Sequence, residues 1–451
     1  MHALATQRAE WDRPVPRYTS YPTAAQFHAG VGVAAYRQWL AGVDPAEPIS
    51  LYLHIPYCQQ LCRYCGCHMR VAGRYEQVQA YVEPLAAEID LVATALPGRL
   101  KVGHIHWGGG TPTILSPEDF MALQGRLRAR FEILDGAEIA VECDPRVLGA
   151  PLIAAMAAAG VTRTSLGVQD FDAEVQRAIG RWQPYELTLS AVEGLRRAGI
   201  RQINLDLMYG LPRQTVDSIL ATVDRAAGLN PDRLALFGYA HVPWMKPHQR
   251  LMPEAELPDG EARLAQAAAA AERLQQLGYV WIGLDHFARP EDPMAVAAAR
   301  GRLHRNFQGY ATDPATTLLG FGASAIGALD QGYVQNEVDI RAWRTAIAAG
   351  SLATRRGVAL DEDDRLRRYV IERLMCDLEV DLEAAANRFG RDKRCFESEW
   401  GEIRRLAEEG LVEIDGETFH LTAAGRPFMR LAACVFDRYF DPGAGRHAKA
   451  V

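Results

Sequence analysis

Short apolar runs of β-type residues alternate with longer segments of helical periodicity between about residue 49 and residue 330. Six of the runs predict strands, namely ISLYLHI, VGHIHW, EIAVEC, TRTSLGV, QINLDLM and DRLALFGY. Between them, YEQVQAYVEPLAAEIDLVATAL and SAVEGLRRAG place apolar residues at the spacing of an amphipathic helix. Repeated β-α units of this kind predict an α/β fold around a parallel sheet.

The alternation stops near residues 350 to 360, just before the acidic run DEDD at 361–364. After it, RLRRYVIERLMCDL, ESEWGEIRRLAEEG and GRPFMRLAACVF predict helices, and LVEIDGETFHLT predicts a hairpin that turns at Asp415 and Gly416. Helices followed by a two-stranded wing are typical of winged-helix modules, which usually bind DNA. Because residues 361–451 hold 20 acidic and 15 basic residues, we expect a lid over the larger domain instead.

The composition is that of a large globular protein with no nucleic-acid or membrane signature. The 451 residues are 49% hydrophobic and 23% charged, and the net charge is -7. A nucleic-acid binder would show a basic footprint, and no apolar run approaches the ~20 residues of a membrane helix. The first residues lack the apolar core of a signal peptide. We therefore expect a cytoplasmic monomer that binds neither nucleic acid nor membrane and keeps its thiols reduced.

Four of the eight cysteines fall within ten residues, directly after the first predicted strand. These are Cys58, Cys62, Cys65 and Cys67 in HIPYCQQLCRYCGCHMR. A loop that curls its sulfurs inward can wrap a compact iron-sulfur cluster. Zinc remains an alternative, but its structural sites usually join two separated ligand pairs, and here there is no second pair. A disulfide framework is typical of short secreted chains rather than of this one.

If Cys58, Cys62 and Cys65 alone hold a four-iron cluster, one iron has no protein thiolate and can take an outside ligand. The spacing CxxxCxxC resembles that of the radical S-adenosylmethionine enzymes. The resemblance implies a [4Fe-4S] cluster whose open iron binds the methionine amino and carboxylate groups of S-adenosylmethionine. It also implies reductive cleavage of the sulfonium and a 5'-deoxyadenosyl radical that removes hydrogen from the substrate.

A glycine run follows the second predicted strand in VGHIHWGGGTPT. Glycines such as Gly109 and Gly110 let the backbone approach a ligand closely, although a plain tight turn explains the run equally well on its own. The run lies one β-α unit after the cysteine loop, and this position resembles the superfamily's site for the methionine amino group.

The chain also resembles the oxygen-independent coproporphyrinogen III oxidases, or coproporphyrinogen dehydrogenases, from PRYTSYPTA at 16–24 onwards. The further segments that carry the resemblance are HIPYCQQLCRYCGCH, HWGGGTPT, VECDPR, SLGVQDF, NLDLMYGLP, DHFARP and LHRNFQGY. It implies an α/β fold that is a partial (β/α) barrel of the radical S-adenosylmethionine type with a smaller, mainly helical C-terminal domain. In this interpretation residues 1–45 form an N-terminal extension that crosses the barrel, 46–355 the catalytic barrel, and 356–451 a helical, winged-helix-like domain.

The resemblance implies anaerobic oxidative decarboxylation of two propionates of coproporphyrinogen III to the vinyl groups of protoporphyrinogen IX, a step of haem biosynthesis. An electron donor and an electron acceptor, which the sequence does not identify, are the other expected partners. Cys67 and PRYTSYPTA match the oxidase better than the related haem chaperone, whose cysteine loop typically ends with an aromatic residue. The alternatives are that chaperone, a haem-degrading radical enzyme of the same superfamily, and a zinc-structured regulator that binds DNA.

Polar residues end several predicted strands, where the ligands of a barrel gather. Singly, each is equally well a helix N-cap or a satisfied core group. The resemblance implies that Cys58, Cys62 and Cys65 bind the cluster and that Cys67 acts near the substrate. It implies a first S-adenosylmethionine bound by Tyr52, Gly109, Glu142 and Ile326. It implies a second one bound by Gly110, Thr111, Tyr64, Gln169, Arg181, Asp206 and Ala240.

Individual side chains fit these ligands chemically. A carboxylate such as Asp206 can accept hydrogen bonds from ribose hydroxyls, and Arg181 can pair with a carboxylate unless it is a solvated helix-end residue. An anionic tetrapyrrole needs local positive charge, for which Arg17, His304 and Arg305 are our candidates. Each of these three could equally be a surface or capping residue.

Overall fold

The computed structural model describes residue 11 and residues 14–441. Residues 1–10, 12 and 13 of the predicted extension and 442–451 of the predicted C-terminal domain lie outside the described residues. The strands are β1 (Ile49–Ile55), β2 (Tyr57–Cys58), β3 (Arg70–Val71), β4 (Lys101–Gly109), β5 (Glu132–Cys143), β6 (Arg163–Gln169), β7 (Gln202–Tyr209), β8 (Arg233–Gly238), β9 (Val280–Ile282), β10 (His286–Ala288), β11 (His304–Asn306), β12 (Gly309–Ala311), β13 (Leu318–Phe321), β14 (Ile326–Leu329), β15 (Gly332–Asn336), β16 (Thr354–Ala359), β17 (Glu379–Asp381), β18 (Val412–Asp415) and β19 (Thr418–Leu421).

The helices follow the strands in alternation through most of the chain. They are α1 (Val33–Ala41), α2 (Tyr75–Ala95), α3 (Pro117–Arg130), α4 (Ala150–Ala158), α5 (Ala173–Ala178), α6 (Tyr185–Arg197), α7 (Val216–Gly228), α8 (Gly260–Gln276), α9 (Pro293–Ala299), α10 (Ile340–Ala348), α11 (Glu362–Asp377), α12 (Leu382–Arg388), α13 (Trp400–Glu408) and α14 (Met429–Cys434). Short 3₁₀ turns occur at Ala24–Gln26, Pro112–Ile114, Pro247–Leu251, Glu254–Glu256, Lys393–Phe396 and Arg426–Phe428.

One large sheet dominates the described part of the chain, with the order β16-β15-β14-β13-β1-β4-β5-β6-β7-β8-β10-β9. The neighbours from β13 through β1 to β8 are parallel, whereas the strands at both ends of the sheet are antiparallel. The six strands that the sequence predicts are β1, β4, β5, β6, β7 and β8, and all six are confirmed. The predicted α/β class with a parallel sheet is therefore confirmed.

The two faces of the parallel strands differ in polarity. On β1, Leu51, Leu53 and Ile55 are buried in the main hydrophobic core, which the helices cover. The alternate residues Tyr52 and His54 lie on the other face. The same alternation continues along β4 to β8, because successive side chains of a strand point to opposite faces. The inner face of the curved sheet therefore carries polar groups, and the outer face supplies the apolar packing.

The helices bury the apolar faces that the sequence predicts. Helix α2 buries Val78, Val82, Leu85 and Ile89, three or four residues apart, against the sheet. This spacing is that of one face of an α-helix. Among the described residues, no helix has the length and apolar character needed to span a membrane.

The C-terminal region has a separate hydrophobic core formed by α11 to α14 and a small sheet. Trp11, Tyr18 and Tyr21 from the N-terminal segment pack into this core. Farther along, His28 forms a bridge with Gly357 on β16 of the large sheet. The N-terminal segment therefore links the two cores, while the domain boundaries at 45 and 355 stay predictions.

The small C-terminal sheet has three strands, because β17 adds to the predicted hairpin of β18 and β19. The predicted turn at Asp415 and Gly416 was wrong by one residue. Asp415 still pairs with Thr418, so the loop residues are Gly416 and Glu417. Gly416 has φ +61°, the left-handed conformation that a two-residue hairpin loop needs at its first position.

Candidate active site

The four-cysteine loop leaves the end of β1 and returns along the edge of the sheet. Tyr57 and Cys58 pair with Arg70 and Val71 in a short parallel ladder, so both ends of the loop are held close together. All eight cysteines are free thiols. The predicted loop at the carboxyl end of the first strand is therefore present.

Three of the loop thiols lie close to each other. Burial, together with the neighbouring Cys65 and Cys62 thiols, raises the pKa of Cys58 to about 12. The side-chain contact between Cys65 and Cys67 lowers the pKa of Cys65 and raises that of Cys67. The Cys67 N–H also donates to Cys65 Sγ at 3.4 Å. Cys67 therefore lies next to the predicted cluster ligands.

The donor set fits an iron-sulfur cluster better than a single ion. Among residue 11 and residues 14–441, no three His, Cys, Asp or Glu side chains are arranged to hold one metal ion. A cluster presents several separated iron corners to its thiolates. Three neighbouring free thiols on one loop are the ligands that such a cluster needs.

A buried ion-pair network lies directly behind the cysteine loop. The guanidinium groups of Arg146 and Arg181 each donate to Cys62 Sγ at 3.4 Å. Both also pair with Asp144, at 2.6 and 3.2 Å. Burial alone would raise the pKa of Asp144, but the hydrogen bonds from Arg146 and the charge of Arg181 lower it overall. Hydrogen bonds to sulfur ligands help to set the potential of an iron-sulfur cluster.

Arg181 is not the solvated helix-end residue that the sequence left open. Its side chain is 5% exposed, and it donates to the Gly167 carbonyl at 2.6 Å. Its Nε is buried without a hydrogen-bond partner among the described residues. The Arg181 guanidinium therefore keeps one N–H donor, at Nε, for a ligand at the edge of the cysteine loop.

The glycine run docks against the backbone that leads into the cysteine loop. Gly110 N–H donates to the Ile55 carbonyl and Thr111 N–H to the Tyr57 carbonyl, both at 2.8 Å. A Cβ at Gly110 would lie 2.6 Å from the Tyr57 oxygen. Gly109 has φ +116°, which side chains rarely adopt. The run is glycine because the two strand ends approach each other too closely for a side chain.

The residues predicted for a first S-adenosylmethionine meet on the inner face of the sheet. Glu142 accepts hydrogen bonds from the Gly109 N–H at 3.2 Å and from His106 Nε2 at 3.0 Å. The His106 ring stacks on Tyr52 with centroids 5.9 Å apart. Tyr52 and Ile326 pack against one common hydrophobic cluster. The structure thus brings together all four predicted residues.

The residues predicted for a second S-adenosylmethionine lie in the cysteine loop, the glycine run, strands β6 and β7, and the segments that follow α5 and β8. Gln169 has φ +72° at the end of β6, and its amide and the Arg181 guanidinium both approach Gly167. The backbone carbonyls of Tyr64 and Ala240 share one hydrogen-bond donor, the Gln249 amide.

Asp206 lies deeper on the inner face. It accepts hydrogen bonds from Ser165 at 2.9 Å and Asn204 at 2.7 Å. Burial, assisted by the charge of Glu142, raises the pKa of Asp206 to about 6. Asp206 and Glu142 line one cavity of about 270 Å³ inside the curved sheet.

A larger cavity of about 680 Å³ lies on the outer side of β8, between α8 and the C-terminal domain. Arg17 lines it and donates to the Gly238 carbonyl at 3.2 Å. Arg305 donates to the backbone carbonyls of Tyr18 and Arg17, and His304 contacts Glu372. Arg17 and Arg305 therefore lie together, whereas His304 is directed to a carboxylate of α11.

Sequence reasoning missed several polar residues of the site. His106, Asp144, Arg146 and Gln249 were given no role. Asp144 and Arg146 lie within VECDPR, directly after a predicted strand, and this position was the signal that could have identified them. Gln249 gave no such signal, because its partners are far away in the sequence.

Comparison with known proteins places relatives over nearly the whole chain. The Radical SAM superfamily model matches residues 52–226, and the HemN C-terminal domain model matches residues 360–428. The oxygen-independent coproporphyrinogen III oxidase of Bradyrhizobium diazoefficiens is 50% identical over 437 residues, 97% of each chain. The protein of the same name from Escherichia coli is 39% identical over 445 residues, again 97% of each chain. The solved structure of coproporphyrinogen III oxidase (HemN) from Escherichia coli, described as a radical SAM enzyme, matches with a TM-score of 0.90 and covers 94% of this chain and 98% of that one.

Proposed function

The chain belongs to the oxygen-independent coproporphyrinogen III oxidases, which are radical S-adenosylmethionine enzymes, and on that premise we propose how its residues serve the reaction. The reaction is the oxidative decarboxylation of two propionates of coproporphyrinogen III to vinyl groups, in haem biosynthesis. The observation that carries the assignment to this chain is the group of three neighbouring thiols beside a glycine run at the carboxyl ends of β1 and β4. Neither the haem chaperone nor the haem-degrading alternative is favoured.

Cys58, Cys62 and Cys65 are the proposed ligands of a [4Fe-4S] cluster. Bound there, such a cluster would supply the strongly reducing electron for the reductive cleavage of S-adenosylmethionine. The β2-β3 ladder holds the backbone of Cys58, and the guanidinium groups of Arg146 and Arg181 donate to the Cys62 sulfur. Cys67 is proposed to act near the substrate, because it is a fourth thiol beside the three that the cluster needs.

We assign one S-adenosylmethionine to Tyr52, Gly109, Glu142 and Ile326. Glu142 can accept a hydrogen bond from an amino group, since its carboxylate already accepts hydrogen bonds from the Gly109 N–H and from His106 on the inner face. We assign a second S-adenosylmethionine to Gly110, Thr111, Tyr64, Gln169, Arg181, Asp206 and Ala240. The free Nε of Arg181 supports a carboxylate contact there, and the two oxygens of Asp206 support a contact with ribose hydroxyls.

The propionate chemistry defines what the protein must do. Each propionate loses one hydrogen atom from its β-carbon, then carbon dioxide and one electron, and leaves a vinyl group. No side chain can accept that electron, so an external acceptor is required. The protein binds the anionic carboxylates, excludes water and other hydrogen donors, and holds the β-carbon near the radical. Arg17 and Arg305 are the proposed carboxylate contacts; in support, the Arg305 guanidinium donates to the Arg17 backbone carbonyl, so the two residues are neighbours.

Product analysis under strict anaerobiosis tests this assignment. Reconstituted protein with reductant, an external electron acceptor, S-adenosylmethionine and coproporphyrinogen III is expected to yield protoporphyrinogen IX, two carbon dioxide molecules per substrate, and 5'-deoxyadenosine. Mass spectrometry of the tetrapyrrole distinguishes this product from a ring-opened haem derivative. Stable haem binding without any decarboxylated product would contradict the assignment and favour the chaperone alternative.

A further inference from the structure

A buried glutamine ties the cysteine loop to the segment that follows the last parallel strand. Gln249 is 1% exposed, and its amide has three backbone partners. Its Nε2 donates to the Tyr64 carbonyl at 3.0 Å and to the Ala240 carbonyl at 3.2 Å. Its Oε1 accepts from the Val242 N–H at 2.6 Å. The Gln249 side chain therefore fixes Tyr64, which lies between the predicted ligands Cys62 and Cys65, relative to the backbone that follows β8.

Two further residues close to Gln249 contact the same loop. His248, on the 3₁₀ turn Pro247–Leu251, has its Nε2 2.8 Å from the Cys65 carbonyl, and Lys246, the residue before this turn, donates through Nζ to the Cys67 carbonyl at 2.9 Å. Because a carbonyl only accepts, Nε2 of His248 must carry the proton. The segment from Lys246 to Gln249 thus supplies donors to three carbonyls of the cysteine loop, at residues 64, 65 and 67.

These contacts restrain the part of the loop that the β2-β3 ladder does not reach. The ladder holds only the start of the loop at Cys58 and the chain beyond it at Val71. Tyr64 and Cys65 lie in the middle, and a loop carbonyl that is held by a buried donor cannot rotate without losing that bond. Ligands must be oriented by their surroundings if a metal group is to be bound in one geometry.

We propose that Gln249 is a positioning residue that holds the cysteine loop in its cluster-binding conformation, with Lys246 and His248 as auxiliary donors. The inference rests on the proposed cluster at Cys58, Cys62 and Cys65. The Gln249 amide also joins two parts of the second proposed S-adenosylmethionine site, because it contacts the carbonyls of both Tyr64 and Ala240. Gln249 touches neither the reacting atoms nor the sulfurs and acts through the backbone.

The test is the rate at which reconstituted, anaerobic protein loses iron to a ferrous chelator. Gln249→Met keeps the length of the side chain but has no amide, so iron release is expected to be about tenfold faster than in the wild type. The spectrum of the reduced cluster, measured by electron paramagnetic resonance, is expected to respond less to added S-adenosylmethionine. A role in folding alone would leave the spectral response to S-adenosylmethionine unchanged.

Gln266→Met is the matched control. Gln266 is also 1% exposed and bridges two backbone groups, Gly210 N–H at 2.9 Å and the Gln214 carbonyl at 2.8 Å, without contact to the cysteine loop. The control is expected to keep the wild-type rate of iron release at a comparable thermal midpoint. Equal release in Gln249→Met and the wild type, or equally fast release in both variants, would overturn the proposal.

A milder variant keeps the test decisive if Gln249→Met does not fold. Lys246→Met removes one partly exposed donor and is expected to raise iron release about threefold, whereas an unchanged rate would overturn the proposal. Iron release needs no tetrapyrrole, so the result is independent of the substrate. A wild-type protein that holds its cluster but fails to decarboxylate coproporphyrinogen III would refute only the proposed function.

Discussion

Asp206 is a carboxylate whose removal should stabilise the protein and impair its activity. Burial raises its pKa from 3.8 to about 6, so the folded state favours the neutral acid. A shift of this size corresponds to about 3 kcal/mol of stability that is lost once the group ionises. Because Asp206 faces a cavity that admits solvent, about 2 kcal/mol is the better expectation.

The sign of the effect follows from the raised pKa. The stability that protonated Asp206 contributes is fully present below pH 3.8, the pKa of this group in the unfolded chain, and it is lost as the pH rises through about 6. Asp206→Asn removes this loss, so the variant should be more stable than the wild type at pH 8. At pH 5 the gain should be roughly half as large. The Ser165 and Asn204 side chains can both still bond to an amide at this position.

Thermal unfolding of the cluster-free protein measures the effect. The Asn variant is expected to unfold about 2 to 4 °C above the wild type at pH 8. The same change on the exposed Asp135 serves as a control and should alter stability by less than about 0.5 kcal/mol. No stabilisation at pH 8, or a gain that does not shrink towards pH 5, would refute the reasoning. Turnover should fall, and S-adenosylmethionine binding at the proposed second site should weaken.

Three further predictions concern the cysteine loop and its supports. Cys67→Ser is expected to keep the full iron and sulfide content but to lose turnover, and loss of iron would instead make Cys67 a ligand. Gly110→Ala forces its Cβ into backbone 2.6 Å away and should reduce cluster incorporation and cost about 1 to 3 kcal/mol in chemical unfolding, whereas Gly103→Ala on the preceding strand β4, with its nearest contact at 3.9 Å, should do neither. Arg181→Met leaves the buried Asp144 with one partner fewer and should destabilise the protein by about 3 kcal/mol at pH 7. This destabilisation should shrink as acid protonates Asp144, so an equal loss of stability at pH 4 and pH 7 would contradict the prediction.

The strands of the barrel could be predicted because their composition directly reflects their environment. Each of the six has buried, mostly apolar residues at alternate positions on its outer face, so the pattern is visible within single strands such as β1 and β7. The short antiparallel strands β9, β10 and β14 to β16 carry no such periodicity, and they were not predicted. The packing of Trp11, Tyr18 and Tyr21 into the C-terminal core was equally inaccessible, because it depends on contacts between opposite ends of the chain.

The site residues also divide into those that a local sequence pattern predicts and those that only the fold brings together. Cys58, Cys62 and Cys65 form a local pattern whose spacing carries chemical meaning, and the glycine run gains meaning from its position one β-α unit later. Gln249 lies 185 residues from its partner Tyr64, so only the fold brings the two together. Local sequence therefore supplied the residues that we propose meet the cofactors, while the side chains that contact those residues required the structure.

The most direct test of the central claim compares single cysteine variants after anaerobic reconstitution. Cys62→Ser is expected to lose the four-iron cluster and all decarboxylation of coproporphyrinogen III. Cys143→Ser, which alters a buried thiol outside the loop, should keep both. Full iron and sulfide content with undiminished protoporphyrinogen IX formation in Cys62→Ser would contradict the claim that this loop holds the cluster on which the reaction depends.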